Sequence, residues 1–346
     1  MSINGYYTSQ GLPVVGVMSV IDVDVANLKR FLSGTFDGQF ANGLASTSID
    51  TNGGEGWIMY LSDRRGDFNN NGSYDMTNIF VTNPATDTSL QSGEDINGDG
   101  VLLMDYTHES ARYSVGEATD YAAFWDHSYF RRSARLINGT TLPGNTNEGF
   151  TFASENPVYI LGNYNATGVS SGASSSGPTP YSGYTGSNVP ASVVGDVITF
   201  LSSNWADGES FRYPYSNGPS SDANARYAAQ TTVRAAMIAG QSKSWILGTP
   251  NQGGSNPCLG GGVHNFMRLL ENWSGVSLNY CGSLISLYYS HQATGSRKYG
   301  GSVGVTYVAP DRNWVFDATF LNATQVPPGT PYFQYVNMTG FRQTLR

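Results

Sequence analysis

Residues 262–292 read GVHNFMRLLENWSGVSLNYCGSLISLYYSHQ, and the folding of this stretch decides the architecture. The first half, Gly262 to Gly275, spaces its apolar residues as an amphipathic turn or short helix closed by Trp273-Ser274-Gly275. The second half, from Val276, is apolar, aromatic and rich in strand-forming residues, with a polar exit at His291 and Gln292. A helical period therefore abuts a strand-like run, with Gly275 as punctuation. On this reading residues 263–291 are the central rib of a β-rich scaffold.

Working outward, similar runs recur in the second half of the chain. They are Gly149–Ala153, Pro157–Tyr164, Ala191–Leu201, Thr231–Ala239, Ser277–Ser290, Val303–Val308 and Trp314–Phe316. Small and β-branched residues recur at like places, with Asn and Gly at the corners. Short strands facing an inner stack need that pattern, so it predicts a mainly β fold whose C-terminal part is a right-handed β-helix or solenoid. The runs are unequally spaced, and a β-sandwich is the alternative. Towards the N-terminus, Val14 to Val25 reads as one or two strands. A short helix then starts at Asp24 or Asn27 and stops at Gly34. Glu55–Ser62 is a further strand, and Phe130–Gly139 another that ends in an Asn-Gly turn. The tail opens on the rigid Pro327-Pro328 turn and closes as an aromatic strand.

These elements divide into a β-rich region at 1–140 and a β-helix-like domain at 141–346. Residues 165–190, rich in Ser, Gly, Thr and Pro, form an inserted surface loop too polar for a core. It is also a place for O-linked glycans. Tripeptides of the form Asn-x-Ser/Thr begin at Asn71, Asn138, Asn165, Asn272, Asn322 and Asn337.

Composition narrows the partners. Only 13% of the 346 residues are charged, about half the share of an ordinary soluble domain. Gly (42) and Tyr (22) are abundant, and Tyr outnumbers the 18 Lys and Arg together. That balance suits extracellular β proteins and fibre components. A net charge of −8 excludes the phosphate-neutralising surface that nucleic-acid binding requires. No apolar run reaches the length of a membrane span. The first residues carry neither a basic nor an apolar export segment, which for an extracellular protein predicts a processed or separately docked piece.

The acidic residues gather between Asp63 and Asp126. Asp67, Asn69, Asn71 and Asp75 stand at positions 1, 3, 5 and 9 of a loop with Gly72 at position 6. Asp95, Asn97 and Asp99 repeat positions 1, 3 and 5, with Gly100 at position 6. Calcium takes six to eight oxygens, and alternate side chains around a tight glycine turn converge on one point. Position 12 lacks its acid in both loops (Asn78 and Tyr106), so either Asp105 or Glu94 fills in or the two loops share one ion. Asn/Asp/Gly turns also form without metal. His108, Glu109, Asp126 and His127 match no ligand spacing and read as surface hydrogen-bonders. His264 and His291 likewise read as structural. Cys258 and Cys281 are too sparse for a zinc site. They form a disulfide in an oxidising compartment, or stay as two buried thiols.

The segments YLSDRRGD (60–67), GEDINGDGVL (93–102), FRRSARLING (130–139), ENPVYILGNYN (155–165), PASVVGDVITFLSSNW (190–205) and TTVRAAMIAG (231–240) are followed by GGVHNFMRLLENWSG (261–275), GSLISLYYSHQATG (282–295), PDRNWVFD (310–317) and PPGTP (327–331). In this order they resemble PilX-like pilus-assembly proteins and related type IV pilin-like bacterial surface proteins. LLENWSG, SLISLYYSHQATG and RNWVFD carry most of that likeness. The resemblance implies an extracellular, non-catalytic, β-rich ectodomain with structural or adhesive duty in a filament. It also implies a hydrophobic pilin helix, which this chain lacks at its start. That helix would be removed or supplied by a separate subunit, with this chain on the filament exterior.

The alternative is a carbohydrate-binding or carbohydrate-active β-helix. Glycosidic chemistry needs paired carboxylates. Asp196, Asp207, Glu209, Glu271, Asp311 and Asp317 are the carboxylates of the second half, and Glu271 beside Trp273 is the most suggestive. A bland role for Glu271 is to pair with Arg268 at the end of a helix.

Overall fold

The computed structural model describes residues 2–7, 13–15, 17–34, 56–64, 130–167, 188–207, 226–241, 245–247, 258–260, 266–290, 292 and 307–330. Strands dominate them. β1 (Ser2–Tyr7) and β2 (Pro13–Val15) pair antiparallel. β3 (Val17–Asp24) leads into α1 (Val25–Leu32). Asp24 caps that helix by accepting from the Asn27 amide at 2.9 Å, and Gly34 closes it at φ +70°, a left-handed value that glycine adopts without strain. The helix expected between Asp24 and Gly34 is thus present.

Next come β4 (Gly56–Leu61), β5 (Phe130–Ile137), β6 (Gly149–Ser154) and β7 (Val158–Leu161). β8 (Ala191–Gly195), β9 (Ile198–Leu201), β10 (Thr231–Arg234) and β11 (Ala236–Ala239) follow. β12 (Trp245–Leu247) and β13 (Cys258–Gly260) form an antiparallel pair. β14 (Met267–Leu269), β15 (Ser277–Gly282), β16 (Leu284–Ile285) and β17 (Asp311–Phe316) complete the set.

Three sheets built only of parallel pairs organise these strands. One has the order β14-β9-β7-β5-β3, the second β16-β11-β8-β6-β4, and the third β10-β15-β17. The chain visits them in rotation: β3 then β4, β5 then β6, β7 then β8. From β9 onward each round also includes the third sheet, as β9, β10, β11 and then β14, β15, β16. Tyr164, bridged to Val233, extends the third sheet by one rung beside β7. Both five-stranded sheets take strands from either side of residue 140.

Register makes the core a set of columns. Val23, Leu136, Ile160, Phe200 and Leu269 are cross-strand neighbours in the first sheet and are all buried. In the second, Phe152, Val193 and Met237 align and are fully buried, and Leu284 ends the column at 45% exposure. In the third, Val233, Tyr280 and Trp314 align, with the Tyr280 and Trp314 rings edge to face at 6.0 Å. Parallel neighbours place like side chains over like, and each large residue stacked this way contributes about 1.5–3 kcal/mol.

The corners set how tightly the chain turns. Ala235 alone separates β10 from β11, and Ser283 alone separates β15 from β16. Gly282 is required at the second corner because a Cβ there would overlap the carbonyl oxygen of Ala235. These corners correct the sequence reading in three places. Ala191–Leu201 is two strands in two sheets, parted at Asp196-Val197, and Thr231–Ala239 and Ser277–Ser290 divide in the same way. Ala235 and Ser283 are small single residues, so no longer loop marks these two corners in the sequence. The helical turn expected at 262–275 is also replaced: Met267–Leu269 is strand β14, paired with β9. Arg268 is buried there, so the segment has no solvent face of the kind an amphipathic helix needs. The aromatic strand expected in the tail lies outside the described residues.

The end of the described chain returns to the early strands. Pro328 sits over Gly149 in β6, and Thr151 Oγ donates to the Pro328 carbonyl at 2.7 Å. Gly329 approaches Ile58 of β4.

Candidate functional site

Four polar clusters bear on function. The first lies in the third sheet. Arg234 of β10 donates through Nε (2.8 Å) and a terminal nitrogen (3.2 Å) to Asp317, just past β17. Both side chains are nearly fully buried. Burial alone would raise the Asp317 carboxyl. Hydrogen bonds from Arg234 and from Thr319 together outweigh it and hold the carboxyl below its ordinary value. Cys281 lies beside the pair as a free, buried thiol, pushed up to about 12 by burial and then by the Asp317 charge. The disulfide expected between Cys258 and Cys281 is therefore not what the structure contains. The Cys281 side chain is packed against the Arg234–Asp317 pair.

The second cluster surrounds Glu271, which is fully buried. Its carboxylate accepts from the Ser202 amide and the Ser202 hydroxyl, both at 2.6 Å. Burial raises its pKa, against the hydrogen bonds of Ser202 and the positive charge of Arg226. The helix that would set Arg268 beside Glu271 is not formed, so the expected helix-end pair gives way to this anchor. Ser202 follows β9, and Glu271 fixes it there. Beyond Ser202, Trp205 packs against Tyr159, Leu201 and Leu270 on a small apolar patch, and the Arg226 guanidinium stacks over the Trp205 ring at 5.7 Å.

The third cluster is its surface continuation. Arg135 binds Asp22 at 2.7 and 3.0 Å and Asp207 at 2.8 and 3.0 Å. Trp205 Nε1 donates to Asp207 at 2.9 Å. Arg135 is held well above the usual arginine value, first by its bond to Asp22. The fourth cluster joins successive turns of the second sheet. Asn156, fully buried, accepts from the Asp63 amide (2.8 Å) and donates to the Asp63 carbonyl (3.0 Å) and to Gln292 (3.3 Å). The Gln292 amide in turn donates to Asp196 at 3.2 Å. An amide ladder repeats this device in the third sheet, where Asn313 donates to Asn279 and Asn279 to Thr232, each at 3.1 Å.

The carboxylates expected for sugar chemistry are thus dispersed. Glu271 and Asp317 are buried in separate anchors, Asp196 is buried under Gln292, Asp207 pairs with Arg135, and Asp311 is exposed on β17. Glu209 lies outside the described residues. So do the calcium-loop residues Asp67, Asn69, Asn71, Asp75, Asp95, Asn97, Asp99 and Asp105, and all four histidines. Among the described residues, no group of three or more His, Cys, Asp or Glu side chains is placed to hold a metal ion, and no helix is long and apolar enough to cross a membrane. Sequence reasoning missed the roles of Arg135, Ser202, Arg226 and Arg234. Their signal was present: few arginines, several of them inside or beside apolar runs, in a chain poor in charge. Comparisons with protein-family models, with curated proteins and with solved structures gave no match.

Proposed function

We propose that this chain is an extracellular structural and adhesive component of a type IV pilus-like filament, and that its parallel sheets wind as a β-helix. One observation carries the reading. Buried charged groups of the described core tie strands of the stack together: Glu271 past β14 holds Ser202 past the neighbouring β9, and Arg234 of β10 reaches across β15 to Asp317 at the end of β17. Groups used in this way give a protein shape and endurance rather than chemistry. The rotation of the chain through its sheets supports the winding, and the order of the quoted motifs supports the filament. Exposed Tyr60, Tyr227 and Tyr289 suit contact with neighbouring subunits, because aromatic rings give large contact area at low entropic cost. A hydrophobic pilin-like helix anchors the assembly, with this chain on the filament exterior. Calcium belongs to the same proposal: oxygen ligands in 67–75 and 95–105 would bind it and relieve repulsion among their carboxylates.

The deciding experiment is immunogold labelling of filaments sheared from producing cells, with antibodies raised against this chain. Labelling along the filaments supports the role, and labelling confined to the cell interior overturns it. For calcium, a chelator lowers the melting temperature of the purified chain, and an unchanged melting curve removes the ion from the proposal.

A further inference from the structure

Among the described residues, the structure sorts the four Asn-x-Ser/Thr tripeptides at Asn138, Asn165, Asn272 and Asn322 by what each asparagine already does, and Asn71 and Asn337 lie outside those residues. Asn165 is 1% exposed, and its amide nitrogen is spent on the carbonyls of Val189 (2.7 Å) and Arg234 (2.9 Å). Asn272 is buried, and its Oδ1 accepts from the Ser274 amide. Asn138 is exposed, but its Nδ2 donates at 2.9 Å to Asp24, the carboxylate that caps α1. Asn322 differs from all three. Asn322, Ala323 and Thr324 are exposed together, on the short 3-10 turns that follow β17. Its Oδ1 accepts from both the amide (3.1 Å) and the hydroxyl (3.0 Å) of Thr324. Its Nδ2 is engaged in no hydrogen bond and faces solvent. Leu321 beside it is 79% exposed, so a large enzyme meets no obstruction from that neighbour.

We propose that Asn322 is an N-glycan acceptor of the folded chain. The donor is an oligosaccharide linked through pyrophosphate to a polyprenyl lipid, and the catalyst is an oligosaccharyltransferase acting outside the cytoplasm. Nδ2 attacks the anomeric carbon and the N–C1 bond forms. The C1–O bond to pyrophosphate breaks, the lipid pyrophosphate leaves with the electron pair, and one Nδ2 proton passes to a base on the enzyme. An amide nitrogen is a poor nucleophile because its lone pair is delocalised into the carbonyl. The two Thr324 donors fix the Asn322 carbonyl and leave the nitrogen presented outward, which is the geometry the tripeptide serves. Natural modification rests on the extracellular reading above, whereas acceptor competence does not.

The test is mass spectrometry with electron-transfer fragmentation on chain recovered from the surface of producing cells. Fragmentation is needed because Asn322 and Asn337 share one tryptic peptide, residues 313–342. The expected result is sugar on Asn322, with Asn165 and Asn272 bare. Bare Asn322 in surface-recovered chain overturns the inference and leaves the filament role standing. If the chain is found only in the cytoplasm, the filament role falls. The purified folded chain, incubated with lipid-linked oligosaccharide and an oligosaccharyltransferase that requires only the tripeptide, then decides the acceptor question. Transfer to Asn322 supports it, and absence of transfer overturns it. Thr324→Ala abolishes modification and Thr324→Ser retains it. Both keep Asn322 in place, and equal melting temperatures exclude misfolding as the cause.

Discussion

Replacing Asp317 with alanine takes the carboxylate away from the Arg234 guanidinium in a site where it is almost wholly buried. Two charge-assisted bonds to Asp317 are lost, and so are the bonds from the Thr319 amide (3.1 Å) and hydroxyl (2.8 Å). Breaking a buried ion pair by removing one partner costs about 3–5 kcal/mol, and a lost cap about 1 kcal/mol. The two share one carboxylate and do not add fully, so a loss of about 4 kcal/mol is expected in urea unfolding, read as a fall in midpoint at constant slope. The double variant Arg234→Met/Asp317→Leu removes both charges while retaining bulk, and recovers most of the loss. Acid provides an independent reading. The folded Asp317 carboxyl lies below its unfolded value. Its contribution is therefore full above about pH 3.9, the ordinary aspartate value, and is lost as pH falls through the lower folded value. Wild type should weaken in that acid window more than the double variant does. A single-variant cost under about 1 kcal/mol, well short of the penalty for breaking a buried ion pair, would refute the reasoning. A double variant as unstable as the single one would do the same.

Glu271 has the opposite sign. Its folded pKa is raised, so a charge-related penalty appears as pH rises through that value and vanishes in acid. Glu271→Gln, which keeps an acceptor for Ser202, should melt no lower than wild type at pH 8, and its advantage should disappear at low pH. Glu271→Ala leaves two Ser202 donors unmet and loses about 2–3 kcal/mol in denaturant titration. Gly282→Ala forces a Cβ onto the Ala235 carbonyl and should cost about 2–3 kcal/mol. Asp207→Ala removes a partner that is 58% exposed and should cost under about 1 kcal/mol in the same assay. Cys281 should resist a thiol reagent in the native chain and react in urea without reductant. Failure to react in unreduced, unfolded protein would mean that its sulfur is bonded.

Much of the strand content was legible, because runs such as VYIL and ITFL are short, apolar and bounded by turn residues. α1 was legible too, through the Asp24 cap and the Gly34 stop. What could not be read was where a run changes sheet. Ala235 and Ser283 turn the chain in a single residue, and local pattern carries no mark of the strand that will lie alongside. The stretch at 262–275 misled for a related reason. Arg268 and Glu271 imitate the polar side of a helix, yet both are buried, with β9 alongside β14 and Ser202 on Glu271, partners far away in sequence. The same long separations, 83 residues for Arg234 and Asp317 and 69 for Ser202 and Glu271, explain why none of the anchoring pairs was foreseen.

The seat of Pro328 over Gly149 has a mechanical consequence. A chain that wound steadily from first turn to last would transmit a pull on its tail into the final rung, and would peel one rung at a time. Here the route doubles back. Tension applied beyond Thr330 passes through the Thr151–Pro328 bond and reaches β6 before it can reach β17. The last rungs are thereby relieved of load until that clasp has slipped, and the clasp acts as a fuse placed ahead of the stack.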